Sequence, residues 1–297
     1  MTVVVVGAGI AGLACARELA DSGVPARVLE RGSRPGGRLA SEWLDGRFAD
    51  VGAAYVTADD RSFQGRLQSW RIEGLARPWT DTFRGQHGPG PMRWAAPGGL
   101  SSLATSLATG LDITYNTEVT ELPEAEYVVL AMPGPEALRV ADLPAARTQT
   151  WEPALTVVLT YPRRSWADFG GVFVNDHPVL ATVCDDGDRR GDGAPVLVAH
   201  STPRHATDQG PEAMAEAVNA LLGIADVPRV VHRRWPYAVP RPRPEAFARS
   251  GHVYLCGDAF GRPRVQTAWL SGRAVAHDIV RALTDRRRAS PPRSATS

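Results

Sequence analysis

An α/β fold is expected for this chain: a doubly wound, Rossmann-like domain joined to a second α+β domain built on an antiparallel sheet. Three stretches predict it. The first thirty residues alternate strand, helix and strand around closely spaced glycines. Residues 253–283 read as a buried strand, a Gly257-Asp258 turn and a long amphipathic helix. Between them, from Ala154 to Trp235, short β-branched runs are separated by turns rich in Gly, Asp and Pro.

The opening unit is the most specific. Thr2 to Val6 is a β-branched run that reads as a buried strand. Gly7-Ala8-Gly9-Ile10-Ala11-Gly12 follows at once, and Leu13 to Asp21 has helical spacing that Ser22-Gly23 ends. Ala26 to Leu29 is a second strand closed by Glu30. Each residue type has a physical reason. Gly7 allows the sharp turn, Gly9 lets the backbone approach a pyrophosphate, and Gly12 lets helix and strand pack closely. The helix N-terminus offers free N–H groups and partial positive charge to phosphates. Glu30 can accept hydrogen bonds from both ribose hydroxyls. Strand, helix and acid in register point to a bound dinucleotide.

The chain has 297 residues, room for one large or two modest domains, and a net charge of +1. No global field draws it to nucleic acid or to a membrane surface. All 33 basic residues are arginine, so lysine is excluded from every catalytic role. Cys15, Cys184 and Cys256 are far apart and lack metal-ligand spacing, as do the seven histidines, so no metal site is expected. Buried thiols, no long apolar run and no leader-like N-terminus make a cytoplasmic protein the expectation.

The stretch after Glu30 is a loop, Arg31 to Leu39, containing Gly36-Gly37-Arg38. A dinucleotide must run past it, and an arginine there can meet phosphate oxygens in fork geometry. Arg47 to Val56 reads as an irregular strand whose small residues, Gly52, Ala53 and Ala54, leave room for something flat.

These motifs together, with Asp50-x-Gly52-Ala53-x-Tyr55-x-Thr57, resemble the opening of the flavin-containing amine oxidase superfamily, and most of all its renalase-like branch. Val253 to Ala259 resembles the family's second FAD motif, and Arg264-Val265-Gln266-Thr267-Ala268 with Ser271-Gly272 resembles its closing helix. The resemblance implies FAD as cofactor. It places Gly7 to Gly12, Glu30, Arg31, Gly37, Arg38, Leu39, Gly52 to Tyr55, Val119, Gly257, Asp258, Val265, Gln266 and Ala268 around it. Asp258, at the carboxyl end of a buried strand, can hold ribityl hydroxyls. The helix that follows would stabilise a reduced, anionic flavin through its dipole.

The middle of the chain divides by composition. Trp70 to Arg93 reads as loops and short strands, Leu100 to Ala108 as a helix, and 111–115 and 127–131 as strands. Ala154–Tyr161, 172–174, 181–183, 196–200 and 230–235 read as strands of the second sheet, with Asp185 to Arg189 as a turn and Glu212 to Leu222 as a helix. Pro236 to Pro244 reads as a connection. The expected FAD-binding domain is 1–55, 97–145 and 249–284, the substrate domain is 56–96 and 146–248, and 285–297 is a disordered tail.

A flavin takes hydride itself and asks the protein for orientation and dry walls. The catalytic residue is therefore open. His200 and His232 lie on strands of the second sheet, and Tyr55, Trp94, Trp235, Tyr237 and Trp269 could line a pocket for a flat substrate. The lack of lysine departs from many amine oxidases, which hold a water near the flavin with one. The expected partners are a small-molecule substrate and oxygen or another electron acceptor. Renalase-like oxidation of isomeric dihydronicotinamide dinucleotides comes first. An amine-directed or biosynthetic tailoring flavoenzyme is the alternative, and a non-catalytic FAD-binding protein the third reading.

Overall fold

The computed structural model describes residues 3–289. Its central sheet has six strands in the order Ala248–Ser250, Val253–Leu255, Tyr127–Leu130, Val3–Val6, Ala26–Leu29, Asp112–Thr114. All neighbours are parallel except the antiparallel edge strand Ala248–Ser250. Val3 lies opposite both Ala26 and Tyr127, so the first strand sits in the middle and is buried on both faces. Ligands of such sheets bind beyond the carboxyl ends of the strands, where the glycine turn and Gly257-Asp258 both fall.

Two helices cover one face. Ile10–Asp21 packs against Val265–Ala289 at very close range. A Cβ on Gly272 would lie 1.9 Å from the Ala11 carbonyl oxygen, and one on Gly12 would lie 2.0 Å from that of Gly7. Leu13, Leu19, Phe63, Trp70, Tyr254 and Ile279 fill the core beneath.

The second sheet is antiparallel, in the order Gly171–Phe173, Leu180–Asp185, Val196–Ser201, Trp151–Thr160, Arg229–Pro240. Strand alternation sorts its side chains. Leu155, Val157 and Leu159 face the helix Glu212–Leu222 through Met214 and Val218, whereas Val158, Val196 and Val198 pack against Ala49 and Val51. That second face looks towards the six-stranded sheet.

Four expectations are corrected. Within 56–96, Arg61–Ile72 is a helix whose N-cap Asp60 accepts from the N–H groups of Ser62 and Phe63 (2.8 and 3.0 Å). It buries Phe63, Leu67 and Trp70 in the core under the six-stranded sheet, not against the second sheet. The Asp185–Arg189 stretch is not a turn; Asp186–Arg190 is a helix, capped by Asp185 and ended by Gly191 at φ +80. Pro236 to Pro240 continue the last strand past a bulge between Trp235 and Val239. Prolines are tolerated there because the strand is at an edge. Lastly, the closing helix runs on through Asp285 to Ala289, with Arg286 paired to Glu126 at 2.9 Å. The rest of the expected tail, Ser290 to Ser297, lies outside the described residues.

Gly272→Ala should lower the free energy of unfolding by about 1–3 kcal/mol, the usual cost of forcing a methyl into filled space. Urea unfolding followed by circular dichroism measures it, and an unchanged midpoint would contradict the close helix contact.

Candidate active-site cleft

A cleft of about 1290 Å³ runs between the two sheets. Single drug-sized ligands commonly fill about 300–1,000 Å³, so this one has room for a larger molecule. Gly9 is the N-cap of Ile10–Asp21 and gives it no side-chain cap, so the first N–H groups of a twelve-residue helix remain for a ligand. Gly9, Ile10 and Ala11 line the cleft, and a Cβ on Gly9 or Gly257 would meet nothing within 4 Å. A pyrophosphate could approach closely there.

Glu30 is fixed by its own neighbours. Its carboxylate accepts from Ala8 N and Gly32 N, both at 2.7 Å. Two lone pairs are thereby engaged, and the others remain for hydroxyl donors. Thr117 N donates to the Glu30 carbonyl at 2.9 Å, which brings Thr117 to Val119 to the same part of the cleft. Gly36 N donates to the Ala8 carbonyl at 2.9 Å, laying the Arg31–Leu39 loop on the glycine turn. Arg31 pairs with Glu136 at 2.9 Å.

The arginine fork expected on phosphate is closed on a carboxylate. Arg38 Nη1 and Nη2 reach the two oxygens of Asp258 at 2.8 and 2.5 Å. Nη1 also donates to the Ala238 carbonyl at 3.1 Å, and the guanidinium lies 4.9 Å from the Trp151 ring centre. The first and last motifs of the chain are thus tied directly together. Trp151 lines the cleft as well, and no motif in the sequence marks it.

The Val51–Tyr55 loop crosses between the sheets. Its carbonyls are held from the second sheet and the Asp186–Arg190 helix: Val51 by Trp235 Nε1 at 2.8 Å, Gly52 by His200 Nε2 at 2.8 Å, and Ala54 by Arg189 Nη1 at 2.6 Å. From the other side, Ala53 N donates to the Arg38 carbonyl at 2.8 Å. A Cβ on Gly52 would lie 2.0 Å from that same oxygen, so glycine is required by the close approach. Beneath the loop is a charge cluster. Asp186 is fully buried against Arg189, Arg190 and Arg47, and Asp50 faces Arg190 at 3.1 Å. Burial alone would raise the Asp186 carboxyl, but the three arginines hold it below its ordinary value.

His200 is a positioning residue, not a free base. Since Nε2 faces a carbonyl, it carries the proton; Nδ1 then accepts from the Thr182 hydroxyl at 3.2 Å. Desolvation lowers its pKa from 6.5 to about 4, against the bond to Gly52 and helped by nearby Arg189.

The cleft gathers Tyr55, His200, Trp235 and Tyr237, as well as Gly7, Gly37, Leu39, Gly52 to Ala54, Val265 and Ala268. Ala8 and Gly12 shape the turn from behind. Four expectations fail. Gln266 does not line the cleft: its side chain brackets Asp59 and Asp60, accepting from both backbone N–H groups (2.8 and 3.0 Å). Trp269 is core, 5.3 Å from the Phe63 ring centre. Trp94 pairs its backbone with Val56, and His232 is exposed on the far side of its strand. Arg189 and Arg190 were hidden by their Asp- and Gly-rich surroundings, which resemble a solvated turn.

Native His200 stays neutral through a pH range in which the unfolded chain takes up a proton. Stability should therefore fall as pH drops from about 6.5 to about 4, at up to about 1.4 kcal/mol per pH unit. His200→Gln should flatten that slope in urea titrations over this range. An identical slope in the variant would show that His200 does not carry it.

Comparison with known proteins fits this geometry. Residues 5–69 match the NAD(P)-binding Rossmann-like domain, and residues 67–280 match the flavin containing amine oxidoreductase family. Putrescine oxidase of Kocuria rosea is 47% identical over 75 residues, 25% of this chain and 16% of that protein. Pseudooxynicotine dehydrogenase of a Pseudomonas species is 38% identical over 82 residues, 26% and 16% of the two chains. The matched stretch thus spans about one sixth of the length of these curated relatives. Among solved structures, a putative protoporphyrinogen oxidase from Exiguobacterium superposes with a TM-score of 0.79 at 16% identity, covering 95% of this chain and 99% of the other. Putrescine oxidase bound to putrescine gives 0.73 at 16% identity, with 95% and 99% covered. These two likenesses concern the fold. With a match across most of the chain and a cleft whose glycines, acid and open helix end fit the cofactor, the protein belongs to the flavin-containing amine oxidoreductase family, whose cofactor is FAD.

Proposed function

We propose that this protein is an FAD-dependent oxidoreductase of the amine-oxidase type that removes a hydride from a small, electron-rich substrate. Renalase-like oxidation of isomeric dihydronicotinamide dinucleotides is the reading favoured here, with oxygen as the expected final acceptor. When bound, FAD supplies the two-electron acceptor. Gly9, Ile10 and Ala11 would meet its pyrophosphate, Glu30 its adenosine ribose, Thr117 to Val119 its adenine, and Asp258 its ribityl hydroxyls.

One observation carries the choice of substrate. Around the Val51–Tyr55 loop the cleft offers a neutral imidazole with both nitrogens engaged, an indole whose N–H is engaged, and the phenols of Tyr55 and Tyr237. No lysine exists in the chain to help. A dihydropyridine gives up hydride and becomes an aromatic cation with no proton to remove. An ammonium substrate must first lose a proton. The walls suit the former.

The second reading is oxidation of an amine or a biosynthetic intermediate. Similarity to putrescine oxidase and pseudooxynicotine dehydrogenase favours it.

Anaerobic stopped-flow absorbance separates these readings. The isomeric dihydronicotinamide dinucleotides, but not NADH, should bleach the flavin band near about 450 nm. Bleaching by amines alone would establish the second reading in its place. A flavin reduced only by dithionite would make the site non-catalytic towards both classes. Separately, Glu30→Ala should weaken FAD retention about tenfold or more, the loss expected of hydrogen bonds to a charged group. Flavin fluorescence on dilution measures it, and full occupancy in the variant would remove Glu30 from the ribose role.

A further inference from the structure

We infer that the substrate end of the cleft carries an anion-binding annexe, in which Arg93 and Arg262 take a carboxylate or phosphate of the substrate. The inference rests on the reading of the cleft as a flavin site and specifies what that site accepts.

A second pocket of about 330 Å³ shares Tyr55, Thr57, Pro263 and Arg264 with the main cleft. Among the described residues neither Asp nor Glu lines it, whereas Arg93, Arg262, Arg264 and His87 do. Arg264 is already neutralised, since both its Nη atoms reach Asp59 at 2.7 Å. Arg262 is exposed and has no ion pair among the described residues.

Arg93 is the unusual member. It is only 4% exposed, and among the described residues no carboxylate pairs with it. Its guanidinium sits among three rings, 4.2 Å from the centre of Phe83, 5.1 Å from Tyr55 and 5.4 Å from Phe173. Nη2 donates to Gln86 Oε1 at 2.8 Å, but among the described residues Nε and Nη1 have no hydrogen-bond partner. Burying a cation without a counter-charge is costly, and ring faces offset only part of the cost. The contrast with Arg189 and Arg190, each buried beside Asp186, is plain.

Gln86 also explains how an anion would reach the guanidinium. Its Nε2 donates to the carbonyls of Asp81 and Gly88 (3.0 and 2.7 Å), so one side chain holds the 86–91 loop beside Arg93. An anion that displaces the Gln86 oxygen meets a fork suited to two parallel hydrogen bonds. Tyr55, shared between the two spaces, gives the body of such a molecule an aromatic face. A cationic amine would meet two uncompensated arginines, Arg93 and Arg262, in the same place.

The test uses FAD-loaded protein and three probes of one shape: benzoate, phenyl phosphate and benzylamine. The two anions should shift the flavin absorption band saturably at concentrations where benzylamine does not. Arg93→Met and Arg262→Gln should each weaken anion binding about tenfold, with FAD occupancy retained. Arg262 is exposed, so its variant decides the matter even if Arg93→Met fails to fold. Benzoate against phenyl phosphate identifies which anion the site prefers. Benzylamine binding as tightly as benzoate, or anion binding unchanged in Arg262→Gln, would overturn the annexe. If no anion binds while a substrate still reduces the flavin, the annexe falls and the flavin reading stands; protein that retains no FAD removes both.

Discussion

The structure depends on one loop, Val51 to Tyr55, being held from both sides. Three of its carbonyls accept from a tryptophan, a histidine and an arginine of the second sheet and its short helix. Its N–H groups return to the Arg38–Ala40 backbone of the nucleotide-binding side. A backbone suspended this way has its polar groups satisfied without water. It can therefore form a dry wall where the two sheets meet, and Gly52 brings it within reach of the Arg38 carbonyl.

That suspension places a demand on the charges beneath it. Arg189 can hold the Ala54 carbonyl only while its own charge is balanced, and Asp186 is the balance. Asp186 in turn contacts Arg190 and Arg47, and Arg190 reaches Asp50, whose other oxygen accepts from Leu100 N at 2.8 Å and Ser41 Oγ at 2.5 Å. Removing one partner from such a network leaves an uncompensated buried charge. The cluster joins the Arg47–Asp50 hairpin, the start of the Ser101–Ala108 helix and the second sheet, and so fixes the width of the cleft from behind.

The nucleotide side of this design was legible in the sequence because local geometry and residue type coincide there. Gly7, Gly9 and Gly12 sit where a side chain would collide or block, and Glu30 follows its strand directly. The helix Glu212–Leu222 was equally plain, since Met214, Ala215 and Val218 recur on one face. What stayed hidden depends on contacts far apart in the chain. Asp186 and Arg189 look solvated until they are seen under a loop 135 residues earlier. Trp269, next to a cofactor motif, points into the core because Phe63 lies across from it, on a helix that the sequence reading did not include. That helix did carry a signal: an N-cap aspartate at 60 and apolar residues at 63, 67 and 70. The final strand was cut short because prolines normally exclude strands, and only its edge position allows them.

The absence of lysine acquires physical meaning once the cleft is assembled. Arginine does not deprotonate in proteins and serves poorly as a base or proton shuttle. The cations around this cleft thus supply fixed charge, and they supply it at any working pH. His200, the residue best placed to move a proton, is kept neutral by desolvation and has both nitrogens engaged. The walls near the Val51–Tyr55 loop therefore orient and exclude water, and they add positive potential on the Arg93 side. On the reading proposed above, such a site would suit a substrate that arrives anionic, flat and ready to lose hydride, whereas a diamine would bring the wrong charge to the Arg93 side.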